Sequence, residues 1–201
     1  MKKLWMIAVM ALSSIHQAQG APAVLTWHDA QVIEQLEPSI KGLFIPFFQN
    51  MYASLTEEDL YLTGKFATKA DWLTKVAENL VHDLQDATKN LYVITAYQAS
   101  EMVGFAVFNQ TSTPNVMHLK QFALSAVAPD MQIAQQLIDA IFIKVPTTTS
   151  LVVGVRKKNV VGAALYKNLG FVPAAVPENH NPIIFDGLMR LRPAAACCPT
   201  S

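Results

Sequence analysis

The sequence predicts an α/β (α+β) fold: one mixed, mainly antiparallel central sheet of about six to seven strands, flanked by helices. Three observations predict it. Hydrophobic residues make up 52% of the 201 and charged residues 15%, enough for one domain with a substantial core and too apolar for a disordered chain. Three consecutive β-branched and aromatic stretches between residues 91 and 125 are joined by turns too short for a crossover, so they must run antiparallel. After them strands alternate with helical segments, which places helices on the faces of the sheet.

The elements follow in order. "MKKLWMIAVMALSSIHQAQG" has the three parts of a secretory signal: Lys2 and Lys3, the apolar run Leu4 to Leu12, and small residues in Ala18-Gln19-Gly20. It predicts an exported protein with a mature start at Ala21; the alternative is a membrane anchor through residues 4–15. No later window is apolar enough to span a bilayer, so the mature chain is expected to have no stable membrane span. "VLTWH", residues 24–28, reads as a strand. "DAQVIEQLEPSIKGLFIPFFQNMY" has helical spacing, and Pro38 and Pro46 are each expected to break or start a helix. "DWLTKVAENLVHDLQDATKN" carries the stripe Leu73, Val76, Leu80 and Leu84, with Asn90 as its end.

"LYVITAYQ", "EMVGFAVFNQ" and "NVMHLKQFALS" form the meander, the first turn lying around Ser100. "DMQIAQQLIDAIFIKV" is a helix with Ile133, Leu137 and Ile141 on one face. "SLVVGV" is a buried strand, and "FVPAAV" and "PIIFDGLMRLR" close the sheet. The expected organisation is therefore a signal peptide (1–20), a single domain (21–192) and a disordered tail (193–201). Cys197 and Cys198 are adjacent and close no useful loop.

A formal net charge of +0 argues against nucleic acid as a partner. The five histidines show no metal-ligand spacing, so no metal is expected. Chemistry concentrates instead in "RKKNVVGAALYKNLGF", residues 156–171. Asn159 is a good N-cap, Val161, Leu165 and Leu169 are expected to face the core, Gly170 suits a left-handed C-terminal cap, and Phe171 packs back on the helix. Tyr166 lies off that stripe, with Gly162 and Ala163 behind it. The bare face permits close approach by backbone, another helix or a ligand.

Asn159, Ala163, Tyr166, Gly170 and Phe171, set directly after the strand "SLVVGV", resemble the late motif of the GCN5-related N-acetyltransferase (GNAT) superfamily. The resemblance covers roughly residues 23–192. It implies acetyl transfer to an amine-bearing acceptor with acetyl-CoA as co-substrate. Tyr166 would be the general acid that protonates the CoA thiolate, a role suited to a phenol whose ordinary pKa lies near 10. Asn159 would position the CoA arm, and the strand end at Phe122, Ala123 and Leu124 would hold the acetyl and pantetheine groups. The loop "PDMQIA", Pro129–Ala134, would meet the pyrophosphate with the N–H groups of Met131, Gln132, Ile133, Ala134 and Gln135. Ala134 matches the family's loop, whereas Pro129 replaces a Gln or Arg and Gln132 a Gly. Asp130 adds a negative charge beside the phosphates, so weakened binding is expected. The alternative reading is a catalytically inactive, exported module on the same fold.

For a base that takes the amine proton, the candidates are His118 on the third meander strand and Glu101 at the hairpin. Glu178 and His180, in "PENHNP", lie where the family's acceptor often sits. Arg156, Lys157 and Lys158 are read as solvated charges at a strand end, with contact to the CoA 3′-phosphate as the alternative.

Overall fold

Among the described residues every neighbouring strand pair but one is antiparallel, and the exception positions the candidate site. The computed structural model describes residues 23–28, 33–125 and 130–193. The predicted signal segment, Pro129, and Cys197 and Cys198 lie outside the described residues. The elements are β1 (Val24–His28), α1 (Ile33–Met51), α2 (Lys69–Gln85), β2 (Tyr92–Gln98), β3 (Glu101–Gln110), β4 (Val116–Leu124), α3 (Met131–Lys144), β5 (Ser150–Arg156), α4 (Val160–Asn168), β6 (Val172–Ala174) and β7 (Phe185–Leu191). They form one seven-stranded sheet in the order β1-β2-β3-β4-β5-β7-β6, the predicted class. Only β4 and β5 run parallel, because α3 carries the chain back between them.

Helices cover both faces. Lys120 of β4 pairs with Asp83 of α2 at 2.6 Å, and Arg156 of β5 stacks on Trp72 of α2, so α1 and α2 share one face. On the other, Arg190 of β7 pairs with Asp139 of α3, and Leu137 of α3 sits against Gly104 of β3. Phe105, Val107, Ile94 and Leu119 are fully or nearly fully buried between the layers. No helix among the described residues is long and apolar enough to cross a membrane.

Three expectations are corrected. Pro38 and Pro46 do not break α1, which runs through both. A proline inside a helix costs about 3 kcal/mol. The side chains that α1 buries, among them Ile40, Phe44, Phe47, Phe48 and Met51, contribute about 1.5–3 kcal/mol each and outweigh it. The Pro46 ring crowds the carbonyl four residues back, which belongs to Gly42, the residue whose backbone adjusts most freely. Second, α2 ends at Gln85 rather than Asn90; Asp86 turns the chain into a 3-10 turn over Ala87–Lys89, and Asn90 ends that turn at φ 48. Third, the last strand starts at Phe185, because the Asn181 carbonyl accepts from the Ile184 and Phe185 N–H groups and holds the preceding residues in a turn. The hairpin around Ser100 forms as expected, with Ala99 and Ser100 at φ 46 and φ 72, the left-handed pair of a two-residue loop.

Candidate active site at the split between two strands

Pairing between β4 and β5 is confined to Val116–His118 against Ser150–Val152. β4 then continues to Leu124 along β3, and β5 to Arg156 along β7, without touching each other as a ladder. A bulge helps separate them: Val107 faces Gln121 and Phe108 faces Leu119, which leaves Lys120 as the extra residue of β4. Such an insertion bends the strand that carries it. Backbone groups of β4 beyond His118 that point away from β3 thus have no strand partner.

A cavity of about 200 Å³ opens at this split. β4 contributes Lys120 and Gln121, and β5 contributes Val153 to Arg156. Its far wall is aromatic, with Phe44 and Phe48 from α1, Tyr52 from the turn that follows it, and Trp72 from α2. The chain after β5 adds Asn159 and Tyr166, the segment before β7 adds His180, and the first residue of β7 adds Phe185.

Tyr166 reaches the cavity because the buried stripe of α4 differs from the expected one. Of the expected stripe, Leu169 is buried and Leu165, half-buried, packs against the core, but Val161 is 50% exposed, and Gly162 and Tyr166 are buried in its place. Spacing alone allowed either face. The cap decides it: the Asn159 carboxamide accepts from Gly162 N–H at 2.9 Å and is itself buried, which pulls the Gly162 side of the helix inward. The C-terminus closes as predicted. Gly170 sits at φ 81, Phe171 N–H donates to the Tyr166 carbonyl at 3.0 Å, and the Phe171 ring meets Tyr166 edge-on at 5.4 Å. Burial, and then the neighbouring Tyr52, push the Tyr166 phenol well above its ordinary value, so it holds its proton at neutral pH. Burial likewise pushes Tyr52 up to about 12, with Arg156 opposing.

Two histidines meet beneath the cavity. His118 is buried, its Nδ1 lies 3.1 Å from the Asn109 carboxamide oxygen, and its ring meets His180 edge-on at 5.0 Å. His118 Nε2 and His180 Nδ1 are buried without a hydrogen-bond partner. Burial, then His180 and Lys120, lower His118 to about 4, and burial lowers His180 as well. Both rings are therefore neutral at pH 7. His180 occupies space that only a glycine leaves: a Cβ on Gly154 would stand 2.4 Å from its Cδ2. Glu178 does not enter the cavity; it is exposed and accepts from the Ser112 hydroxyl, which ties the loop down.

The start of α3 is already occupied. The Asp130 carboxylate accepts from Gln132 N–H at 2.7 Å and Ile133 N–H at 3.4 Å, and its carbonyl accepts from Ala134 N–H at 3.0 Å. Two of the amides expected to meet a pyrophosphate are thus capped by the protein's own acid, and a third closes the first turn of the helix. Ile133 and Ala134 turn their side chains into the core, and the Gln135 carboxamide donates to Asp139 at 2.7 Å. Two cations of the "RKK" run are engaged elsewhere: Lys158 pairs with Asp59 at 2.6 Å, and Arg156 is turned into the aromatic cavity. The residues present therefore fit the two ends of coenzyme A differently. The split, Asn159 and Tyr166 suit the pantetheine arm and thioester, and α3 does not suit the pyrophosphate.

Of the predicted site residues, Asn159 and Tyr166 line the cavity and His118 lies behind His180. Phe122 and Leu124 are fully buried, so only their backbone could meet a ligand. Glu101 is exposed at the β2–β3 hairpin, away from the cavity, and is not brought to the site. Sequence spacing missed Tyr52, Trp72, and the inward course of Arg156. They lie far apart along the chain and converge only when α1, α2 and β5 pack. No group of three or more metal-ligating side chains gathers among the described residues.

No family model matches the chain, and no curated protein matches it. Solved structures do. The PaiA N-acetyltransferase of Thermoplasma acidophilum in complex with coenzyme A is similar at 16% identity and TM-score 0.57, over 84% of this chain and 99% of that one. An acetyltransferase of the GNAT family from Staphylococcus aureus Mu50 gives 15%, 0.54, 84% and 98% in the same order. Aminoglycoside 6′-acetyltransferase type Ii gives 13%, 0.55, 84% and 96%. The shared architecture over nearly the whole of each neighbour shows that the chain has the GNAT fold.

Proposed function

We propose that the chain is an N-acetyltransferase that moves the acetyl group of acetyl-CoA to a small amine in the β4/β5 split. The observation that carries this reading is Tyr166, a protonated phenol set in the wall of a cavity where β4 and β5 part. The GNAT fold of the chain, shared with N-acetyltransferases, supports it. Acetyl-CoA, when bound, supplies an activated acetyl thioester; Asn159 and the unpaired backbone of β4 would hold its arm.

The chain's own residues divide the proton work. Tyr166 keeps a proton at its phenol oxygen, ready for a departing thiolate. His180 lines the cavity with a neutral ring, whose imidazole can accept the proton an ammonium must lose before it attacks. His118, held by Asn109, backs that ring and fixes its orientation.

A second reading, an inactive module on the same fold, is favoured by one observation, the Asp130 carboxylate on the α3 amides. A thiol-release assay with acetyl-CoA and a panel of amines separates the two. Turnover is expected, and Tyr166→Phe should lower kcat by about 100-fold with KM nearly unchanged. No thiol release with any amine, together with calorimetric silence toward acetyl-CoA at millimolar concentration, would establish the inactive reading.

A further inference from the structure

The cavity holds two cations and no anion. Lys120 and Arg156 line it, and no aspartate or glutamate does. Lys120 is neutralised from outside by Asp83 at 2.6 Å. Arg156 is not: no carboxylate among the described residues forms an ion pair with it. Its guanidinium carbon lies 4.7 Å from the Trp72 ring centroid and 5.3 Å from that of Phe185, and its Nη1 donates to the Leu60 carbonyl. Those contacts hold the fork in place and leave its charge unmatched. An arginine stays charged at any working pH, and a partly buried charge without a counter-ion is a strong acceptor site for one.

We infer that Arg156 binds a carboxylate on the acceptor, and that the acceptor is a small amino acid with an apolar or aromatic side chain. This rests on the N-acetyltransferase reading above and names its substrate class. Charge argues for it first. An amine acceptor arrives as an ammonium, which the unmatched charge of Arg156 repels unless it brings a negative charge of its own; an amino acid does. Shape argues next. Phe44, Phe48, Tyr52, Trp72 and Phe185 offer apolar walls and no acidic group to hold a second ammonium, which disfavours polyamines and amino sugars. Size agrees: about 200 Å³ is smaller than the roughly 300–1,000 Å³ of sites for drug-sized ligands. The planar fork of arginine matches a carboxylate with two parallel hydrogen bonds.

The test uses the full chain and four probes in calorimetry: phenylalanine, 3-phenylpropanoate, phenethylamine and spermidine. Phenylalanine and 3-phenylpropanoate should bind about tenfold or more tighter than phenethylamine, and spermidine should not bind. Arg156→Gln should weaken the two carboxylates by about 30-fold or more and should not weaken phenethylamine, which loses a repelling charge. Arg156→Lys, which keeps the charge and loses the fork, should fall between, and serves alone where the glutamine variant does not fold. Equal or tighter binding of phenethylamine or spermidine, an equal loss for every probe in the variants, or silence with all four overturns the inference. A preference for succinyl-CoA over acetyl-CoA that Arg156→Gln abolishes, with no preference among amines, places the carboxylate on the donor and overturns it too. Thiol release from acetyl-CoA is read in parallel. Release with phenethylamine as fast as with phenylalanine defeats the carboxylate assignment and leaves the transferase reading standing. Carboxylate binding without release from any amine defeats the transferase reading and leaves the anion site.

Discussion

His118 and His180 differ in what surrounds each ring, and the difference can be read in solution. His118 is enclosed by Asn109, His180 and the sheet, and its pKa falls from 6.5 to about 4. Between those two values the unfolded chain takes up a proton that the folded chain refuses. Stability is therefore at its full value above pH 6.5, falls as pH drops toward 4, and loses nothing further from this group below that. The whole effect is ~3 kcal/mol at most. His118→Gln should flatten this part of the curve of unfolding free energy against pH, even where its stability at pH 7 is lower. An unchanged slope between pH 6.5 and 4 would show that His118 titrates normally. His180 reads out in rate instead. Because burial lowers it, the acid limb of kcat/KM should lie below pH 6.5, and His180→Gln should remove that limb and most of the turnover.

Helix starts govern the two halves of the cofactor question. Asp130 is a good cap for α3 and a poor neighbour for a phosphate. Asparagine caps about as well and carries no charge. Asp130→Asn should thus keep the melting temperature within a few degrees and raise affinity for acetyl-CoA about fivefold, corresponding to ~1 kcal/mol. S-Acetylpantetheine, which has no pyrophosphate, should bind both proteins alike in calorimetry; parallel gains for both ligands would mean that Asp130 acts elsewhere. At α4 the contest is between propensity and packing. Alanine is worth about 1 kcal/mol more than glycine inside a helix. A Cβ on Gly162, however, would meet the Asn159 carboxamide at 2.6 Å and disturb the cap. Gly162→Ala should lower the melting temperature, and a rise would show that the cap can shift without cost. That close packing is also why the buried face of α4 was misjudged from spacing. Val161 and Leu165 offered the larger side chains, but the helix turned on its cap, whose hydrogen bond no pattern of hydrophobicity records. Pro38 and Pro46 misled for a related reason: a local rule was outweighed by the side chains that α1 buries against the sheet.

The sheet could be read from sequence because its signals are local: alternation, short turns, and a helix between the two parallel strands. The split could not. It depends on where β3 holds β4 and β7 holds β5, and on the bulge at Lys120, all of which join residues distant in the chain. Asn159 and Tyr166 were legible as a pair on one helix, whereas the cavity they face draws Tyr52, Trp72, Arg156 and His180 from separate segments. Gly154 is where these segments meet, and it supplies a test of the assembly. It lies in β5 opposite Gly187 of β7, deep in the ladder, and its missing side chain is filled by the His180 ring. A methyl there would stand 2.4 Å from the ring, too close to coexist, and the ring belongs to a surface loop while the strand is held on its β7 side. The loop should give way first. Gly154→Ala should therefore leave the melting temperature within about 5 °C of the parent, yet reduce turnover about tenfold or more by moving His180, the proposed proton acceptor, off the cavity. Full activity would show that His180 is not the acceptor, and a collapse in stability would show that the β5–β7 ladder, rather than the loop, absorbs the strain.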